Sequence, residues 1–162
     1  MRVHLTSTGL IRPRVVVWMP DAATKQRLEQ WCNKLGIPRS EAPPFHMTII
    51  YSKNGLPHKG LVKPFSAFPV TVPKRAIKYK MLGRDKSKTL TLYCDSDAAR
   101  IRNKQYMDAG AISDFPHYTP HVSLSNWRIP WKGVLRKLPP VDFQIVFSYE
   151  ADWEHVKAET AT

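Results

Sequence analysis

Acidic side chains are in short supply: 13 Asp and Glu stand against 25 Lys and Arg in 162 residues, a formal net charge of +12. That imbalance makes a cationic ligand a poor match and points to an anionic partner, nucleotide or nucleic acid first. The basic residues are spread through 53–63, 74–88 and 128–137 rather than gathered in a tail, so their field is expected to surround a site or face. Cysteine is scarcer still. Cys32 and Cys94 form no Cys-x-x-Cys pair and suit a reduced cytosolic protein with two buried thiols better than a disulfide framework. Long apolar runs are missing as well. No stretch approaches the roughly 20 residues that a bilayer crossing needs, and Met1-Arg2-Val3-His4-Leu5-Thr6 has no apolar core of signal-peptide type. The expectation is a soluble, unexported, cytoplasmic protein without membrane contact. No low-complexity linker divides the chain, so residues 1–162 are expected to form one domain.

What is present is a chemical pattern written twice. His46-Met47-Thr48-Ile49 and His121-Val122-Ser123-Leu124 each run histidine, apolar, hydroxyl, apolar. On a strand, the period of two puts imidazole and hydroxyl on one face and sends the apolar residues to the other. Two such pairs around one cleft would supply a general base, a general acid and two donors for the non-bridging oxygens of a phosphate.

The duplication extends to the flanking segments. The apolar run Val15 to Met19 is followed by Pro20-Asp21, by Leu28, Trp31, Cys32 and Leu35 at helical spacing, and by Gly36 as a stop. In the second half, Thr89 to Cys94 alternates as a strand and Asp95-Ser96-Asp97 offers helix caps. Ala98, Ile101 and Ala109 then share a helical side, and Gly110 closes the unit. Pro20 precedes His46, and Asp95 precedes His121, by the same interval. The reading is an internal pseudo-repeat of two strand-helix-strand units. Further strands are expected over Phe68 to Val72, Ala76 to Leu82 and Val141 to Tyr149. Loops are expected from Ser52 to Pro64 and from Asn126 to Pro140, and the polar tail from Glu154 is expected to fray.

From Val15 to about Trp153 the chain resembles the 2H phosphoesterase superfamily, whose mark is two His-x-Thr/Ser motifs in matching strands. The string Pro44-Phe45-His46-Met47-Thr48-Ile49-Ile50-Tyr51-Ser52 and the Tyr149-Glu150 region are most similar to the phage anti-CBASS nucleases. Those proteins degrade cyclic di- and trinucleotide alarm signals and so disarm a bacterial antiphage defence. The resemblance implies an α+β fold of two pseudo-symmetric lobes, with antiparallel sheets around a central cleft and flanking helices. It implies a catalytic set of His46, Thr48, His121 and Ser123, and substrate contacts at Glu150 and Trp153. It also implies a cyclic nucleotide as partner in the cytoplasm of the host cell. No metal or other cofactor is called for by two imidazoles and two hydroxyls, and no protein partner is predicted.

Three other readings stay open on the residues alone. An RNA-end enzyme acting on 2',3'-cyclic phosphate termini would share every catalytic residue. A basic RNA-binding module would not need the paired motifs. His117, four residues before His121, offers a zinc alternative that lacks a third ligand at convincing spacing. Trp18, Trp31, Trp127, Trp131 and Trp153 are expected in the core or between lobes, with Trp153 also placed for base stacking. His4, His58 and His155 are expected to face solvent.

Overall fold

The computed structural model describes residues 13–39, 42–55, 62–83, 88–113, 115, 117–125 and 137–160, and the backbone of 5–6 and 9–10. His4, His58, Trp127 and Trp131 lie outside the described residues, as does most of the 128–137 basic stretch. Two short strands, β1 (Leu5–Thr6) and β2 (Gly9–Leu10), pair as a separate hairpin. The rest runs β3 (Arg14–Pro20), α1 (Ala22–Leu35), β4 (Met47–Ser52), β5 (Val70–Val72), β6 (Ile77–Leu82), β7 (Thr89–Cys94), α2 (Asp97–Asp108), β8 (His121–Ser123), β9 (Ile145–Asp152) and α3 (Trp153–Thr160).

Seven of these strands form one antiparallel sheet in the order β5-β9-β3-β4-β8-β7-β6. The α+β class holds, and the pseudo-repeat is visible in the order itself: β9-β3-β4 on one side mirrors β6-β7-β8 on the other. The two lobes share this sheet instead of having one each. Their seam is the β4–β8 pair, where Met47 stands opposite Val122.

Local chemistry accounts for the helices. Asp21 caps α1 by accepting from the Thr24 amide at 2.8 Å, and Gly36 ends it at φ 72°, a left-handed conformation that glycine adopts without a side-chain clash. Ser96 caps α2 by accepting from the Ala99 amide at 3.2 Å. Both helices cover the face of the sheet that carries Trp18, Met47, Leu90, Leu92 and Val122, all fully buried. Each reaches toward the other half: Trp31 of α1 donates its indole N–H to Tyr79 of β6 at 2.9 Å, and Arg102 of α2 grips Glu150 of β9. The repeat units are thereby locked across the seam.

Three segments differ from the sequence reading. The buried face of α2 is Ala99, Arg102 and Tyr106, and Ile101 is 58% exposed, because the Arg102 guanidinium finds a carboxylate beneath the helix and wins the inward position. The last strand starts at Ile145 rather than Val141 and continues to Asp152. The tail expected to fray is instead α3, held to the opposite sheet face where Val156 packs on Val17 and Met19.

Candidate active site

Strand alternation and one irregularity put both motifs on the face that α1 and α2 leave open. On β4, Met47 points into the core and Thr48 away from it; Val16 pairs Ile50 while Val17 pairs Thr48, so Ile49 is an extra, bulged residue. A bulge leaves a strand carbonyl without its ladder partner. Asn103 of α2 meets this need, donating its side-chain N–H to the Ile49 carbonyl at 2.7 Å, and the Tyr118 hydroxyl donates to the neighbouring Thr48 carbonyl at 2.8 Å. The backbone beneath Thr48 is thus fixed from two directions.

The antiparallel register at the seam then crosses the motifs. With Met47 opposite Val122, Thr48 stands across from His121 and His46 from Ser123. Each imidazole is partnered by the hydroxyl of the other half, at the spacing of about 5 Å typical of cross-strand neighbours. Both histidines are half-buried, and their orientation is set by backbone carbonyls. His46 Nδ1–H donates to the Pro44 carbonyl at 2.8 Å, and His121 Nδ1–H to the Thr119 carbonyl at 2.7 Å. A carbonyl can only accept, so the proton sits on Nδ1 in each ring and Nε2 is left as the nitrogen available for proton transfer.

Burial pushes both imidazoles below their ordinary pKa, because the charged form loses hydration. The carbonyls work against this. Neighbouring cations work with it: His121 and Arg39 lower His46, and Lys80 lowers His121. Trp153, at the start of α3, lies against His46 with ring centroids 4.1 Å apart. The same indole lines a cavity of about 860 Å³, bounded also by Lys25, Glu29, Arg39, Pro44 and Lys157.

Glu150 is placed elsewhere. It stands opposite Trp18 in the β3–β9 register, on the helix-covered face, and both carboxylate oxygens are engaged. Oε1 accepts from Arg102 Nε at 2.9 Å and from the Trp18 indole at 3.1 Å; Oε2 accepts from Arg102 at 2.7 Å and from the Tyr106 hydroxyl at 3.1 Å. The carboxylate neutralises a buried arginine on the helix-covered side of the sheet, the face opposite the two motifs. Among the described residues no three His, Cys, Asp or Glu side chains converge to hold a metal ion. His117 is exposed, and His155 is exposed and pairs with Glu159. Both cysteines are free and buried, with Cys32 pushed up to about 11 and Cys94 to about 12 by loss of hydration. No helix among the described residues is long and apolar enough to cross a membrane.

The family model described as anti-CBASS protein Acb1 matches residues 15–161, which takes in both motifs. The chain belongs to that family. The anti-CBASS protein Acb1 of Escherichia phage RB16 is 33% identical over 130 residues, covering 78% of this chain and 72% of that protein. In three dimensions the chain is similar to E. coli LigT, whose structure was solved with 3'-AMP, at a TM-score of 0.56 and 13% identity over 87% of this chain and 86% of LigT. That likeness shows that the chain shares the fold of LigT.

Sequence reasoning missed four groups beside the motifs: Arg39, the Pro44 and Thr119 carbonyls, and the Lys80 ammonium. Only Lys80 had a readable signal. On β6 it alternates with the inward-facing Ile77, Tyr79 and Met81, which places Lys78 and Lys80 on the motif face.

Proposed function

We propose that the chain is a metal-independent phosphodiesterase that opens 3'-5' bonds of cyclic di- and trinucleotides in the host cytoplasm and so disables CBASS signalling. The observation that carries this reading is the crossed arrangement at the seam, in which two Nδ1-anchored imidazoles each face a hydroxyl from the other motif. A phosphate seated between them meets one neutral Nε2, one protonated Nε2, and the Thr48 and Ser123 hydroxyls.

The steps balance without a further reactant. The neutral imidazole takes the ribose 2'-OH proton as the 2'-oxygen forms a bond to the adjacent phosphorus. The bond to the 5'-oxygen breaks, and the protonated imidazole gives that oxygen its proton. The ring becomes a linear product with a 5'-hydroxyl and a 2',3'-cyclic phosphate. Thr48 and Ser123 donate to the phosphate oxygens as charge builds on them. Water can then open the cyclic phosphate with the two histidines exchanging roles. Trp153 offers a face for a nucleobase on the His46 side, and the adjoining cavity of about 860 Å³ has room for a nucleoside.

The test runs native and 2'-deoxy cyclic dinucleotides in parallel, with and without EDTA, beside an RNA ending in a 2',3'-cyclic phosphate. The reading expects the native ring to open with an early 2',3'-cyclic phosphate end, the deoxy ring to bind intact, and chelation to change nothing. Rapid cleavage of the deoxy ring would put the nucleophile on water. Turnover of the RNA end alone would move the substrate to RNA processing.

A further inference from the structure

The open face carries a cation that the two-histidine scheme leaves unused. The β6–β7–β8 registers set Lys80 opposite Thr91 and Thr91 opposite Ser123, and in the adjacent row Lys78 opposite Tyr93 and Tyr93 opposite His121. Lys80 leans inward across these rows. Its ammonium lies over the Tyr93 ring, 5.4 Å from the centroid, and is close enough to depress protonation of His121.

The platform beneath it is fixed. Arg100 donates to the Tyr93 hydroxyl and is itself held by Asp95 and Asp97. The Thr91 hydroxyl is committed to the Lys80 carbonyl at 2.7 Å, which ties the lysine's own backbone down. Some cations of the described residues have carboxylates: Arg27 has Asp142, Arg102 has Glu150 and Lys104 has Asp108. Lys80 has none within ion-pair distance among the described residues. Lys80 is exposed, so water carries its charge in the free protein and the ammonium is available to an anionic ligand.

Position decides which part of the ligand that is. The scissile phosphate sits over the β4–β8 seam, between the two imidazole–hydroxyl pairs. The Lys80 ammonium lies over β7, about one strand spacing of 4.8 Å farther out. We infer that Lys80, seated on Tyr93, binds the phosphate of the cyclic substrate that is not being cut. This rests on the cyclic-nucleotide reading above and goes beyond it, because it makes the second phosphate a recognition element: a ring has one to offer and a single phosphodiester does not.

The experiment compares two ligands that cannot be cleaved, a 2'-deoxy cyclic dinucleotide and the linear 2'-deoxy dinucleoside monophosphate with the same bases, titrated into wild type, Lys80→Gln and Lys80→Arg. Lys80→Gln is expected to weaken the ring by about tenfold or more, the scale of one charge-assisted contact, and the linear ligand by less than about twofold. Lys80→Arg should restore the ring. Equal weakening of both ligands would assign Lys80 to the scissile phosphate and overturn the inference, as would no weakening of either or no binding of the ring to wild type. Cleavage of the native ring by wild type, measured alongside, separates a failure of this inference from a failure of the phosphodiesterase reading.

Discussion

The two motifs are near copies in sequence, and their surroundings are not. His46 sits just before β4 with an indole on its ring and Arg39 nearby, on the side where α3 covers the sheet. His121 begins β8 between Thr48 and Tyr93, with the Lys80 ammonium as its cation and no ring stacked on it among the described contacts. The pseudo-symmetry therefore ends at the histidine nitrogens: the repeat supplies equivalent nitrogens, and the non-repeated elements make them different. In the proposed function, one side takes a base and its nucleoside and the other a phosphate.

Removing the nitrogens tests the part that is shared. His46→Ala and His121→Ala should each cut turnover of a cyclic dinucleotide by at least the 10²–10⁴-fold that a proton-transfer role is typically worth, with the thermal unfolding midpoint close to wild type. Substantial turnover in either folded variant would mean that one copy is ornamental. Thr48→Ala and Ser123→Ala should cost less, at most on the order of 10²–10³-fold, and similarly to each other if both hydroxyls contact the phosphate.

Glu150 carries the corresponding test of what joins the halves. Its bidentate bond to Arg102 is buried, with side-chain exposures of 13% and 4%. Glu150→Ala leaves that guanidinium without a counter-charge beneath α2. The expected loss is about 3–5 kcal/mol of stability by chemical denaturation, the usual cost of breaking a buried pair from one side. A variant that folded normally but bound cyclic nucleotide poorly would return Glu150 to the substrate site.

Those contrasts explain what could be read in advance. Asp21, Gly36 and Ser96 announce their helix ends because capping is local chemistry, and β7 is legible from Thr89 to Cys94 because its alternation is complete. The motif histidines are legible because their pattern is doubled. Glu150 and Arg102 are not, since a buried ion pair joins residues 48 positions apart and leaves no periodic trace. The polar composition after Trp153 hides α3, whose one buried contact, Val156, is decided by the sheet it lands on. The crossing of each imidazole with the other motif's hydroxyl is set by the single Met47–Val122 register, which no local pattern encodes.

Proton linkage gives a smaller effect with a definite sign. Both imidazoles are held below the ordinary value of about 6.5, so below that pH the unfolded chain binds more protons than the folded one. Their contribution to stability is full above about pH 6.5 and is lost as pH falls through the lowered folded values. Denaturation at pH 7.5 and pH 5.5 should show this loss in wild type, and less of it in His46→Gln/His121→Gln. For the same reason kcat/KM, which reports the free enzyme, should peak on the acid side of 6.5 as a property of the coupled pair.

The smallest change separates the two histidines from each other. Loss of hydration is the largest cause of the lowered His46 value, and the indole of Trp153, 4.1 Å away between centroids, is part of what keeps water off that ring. Trp153→Ala opens that side to solvent, so His46 should titrate closer to an ordinary imidazole. His121, depressed by its own burial and by Lys80, should stay where it is. Lys80→Gln should do the reverse, raising His121 alone. Histidine proton NMR across a pH series reads both rings in one sample and compares each variant with wild type. Two variants that moved both rings together would show the pair to be one electrostatic unit. Opposite selectivity would establish that the copied motif has been divided by its surroundings into a nucleoside side and a phosphate side.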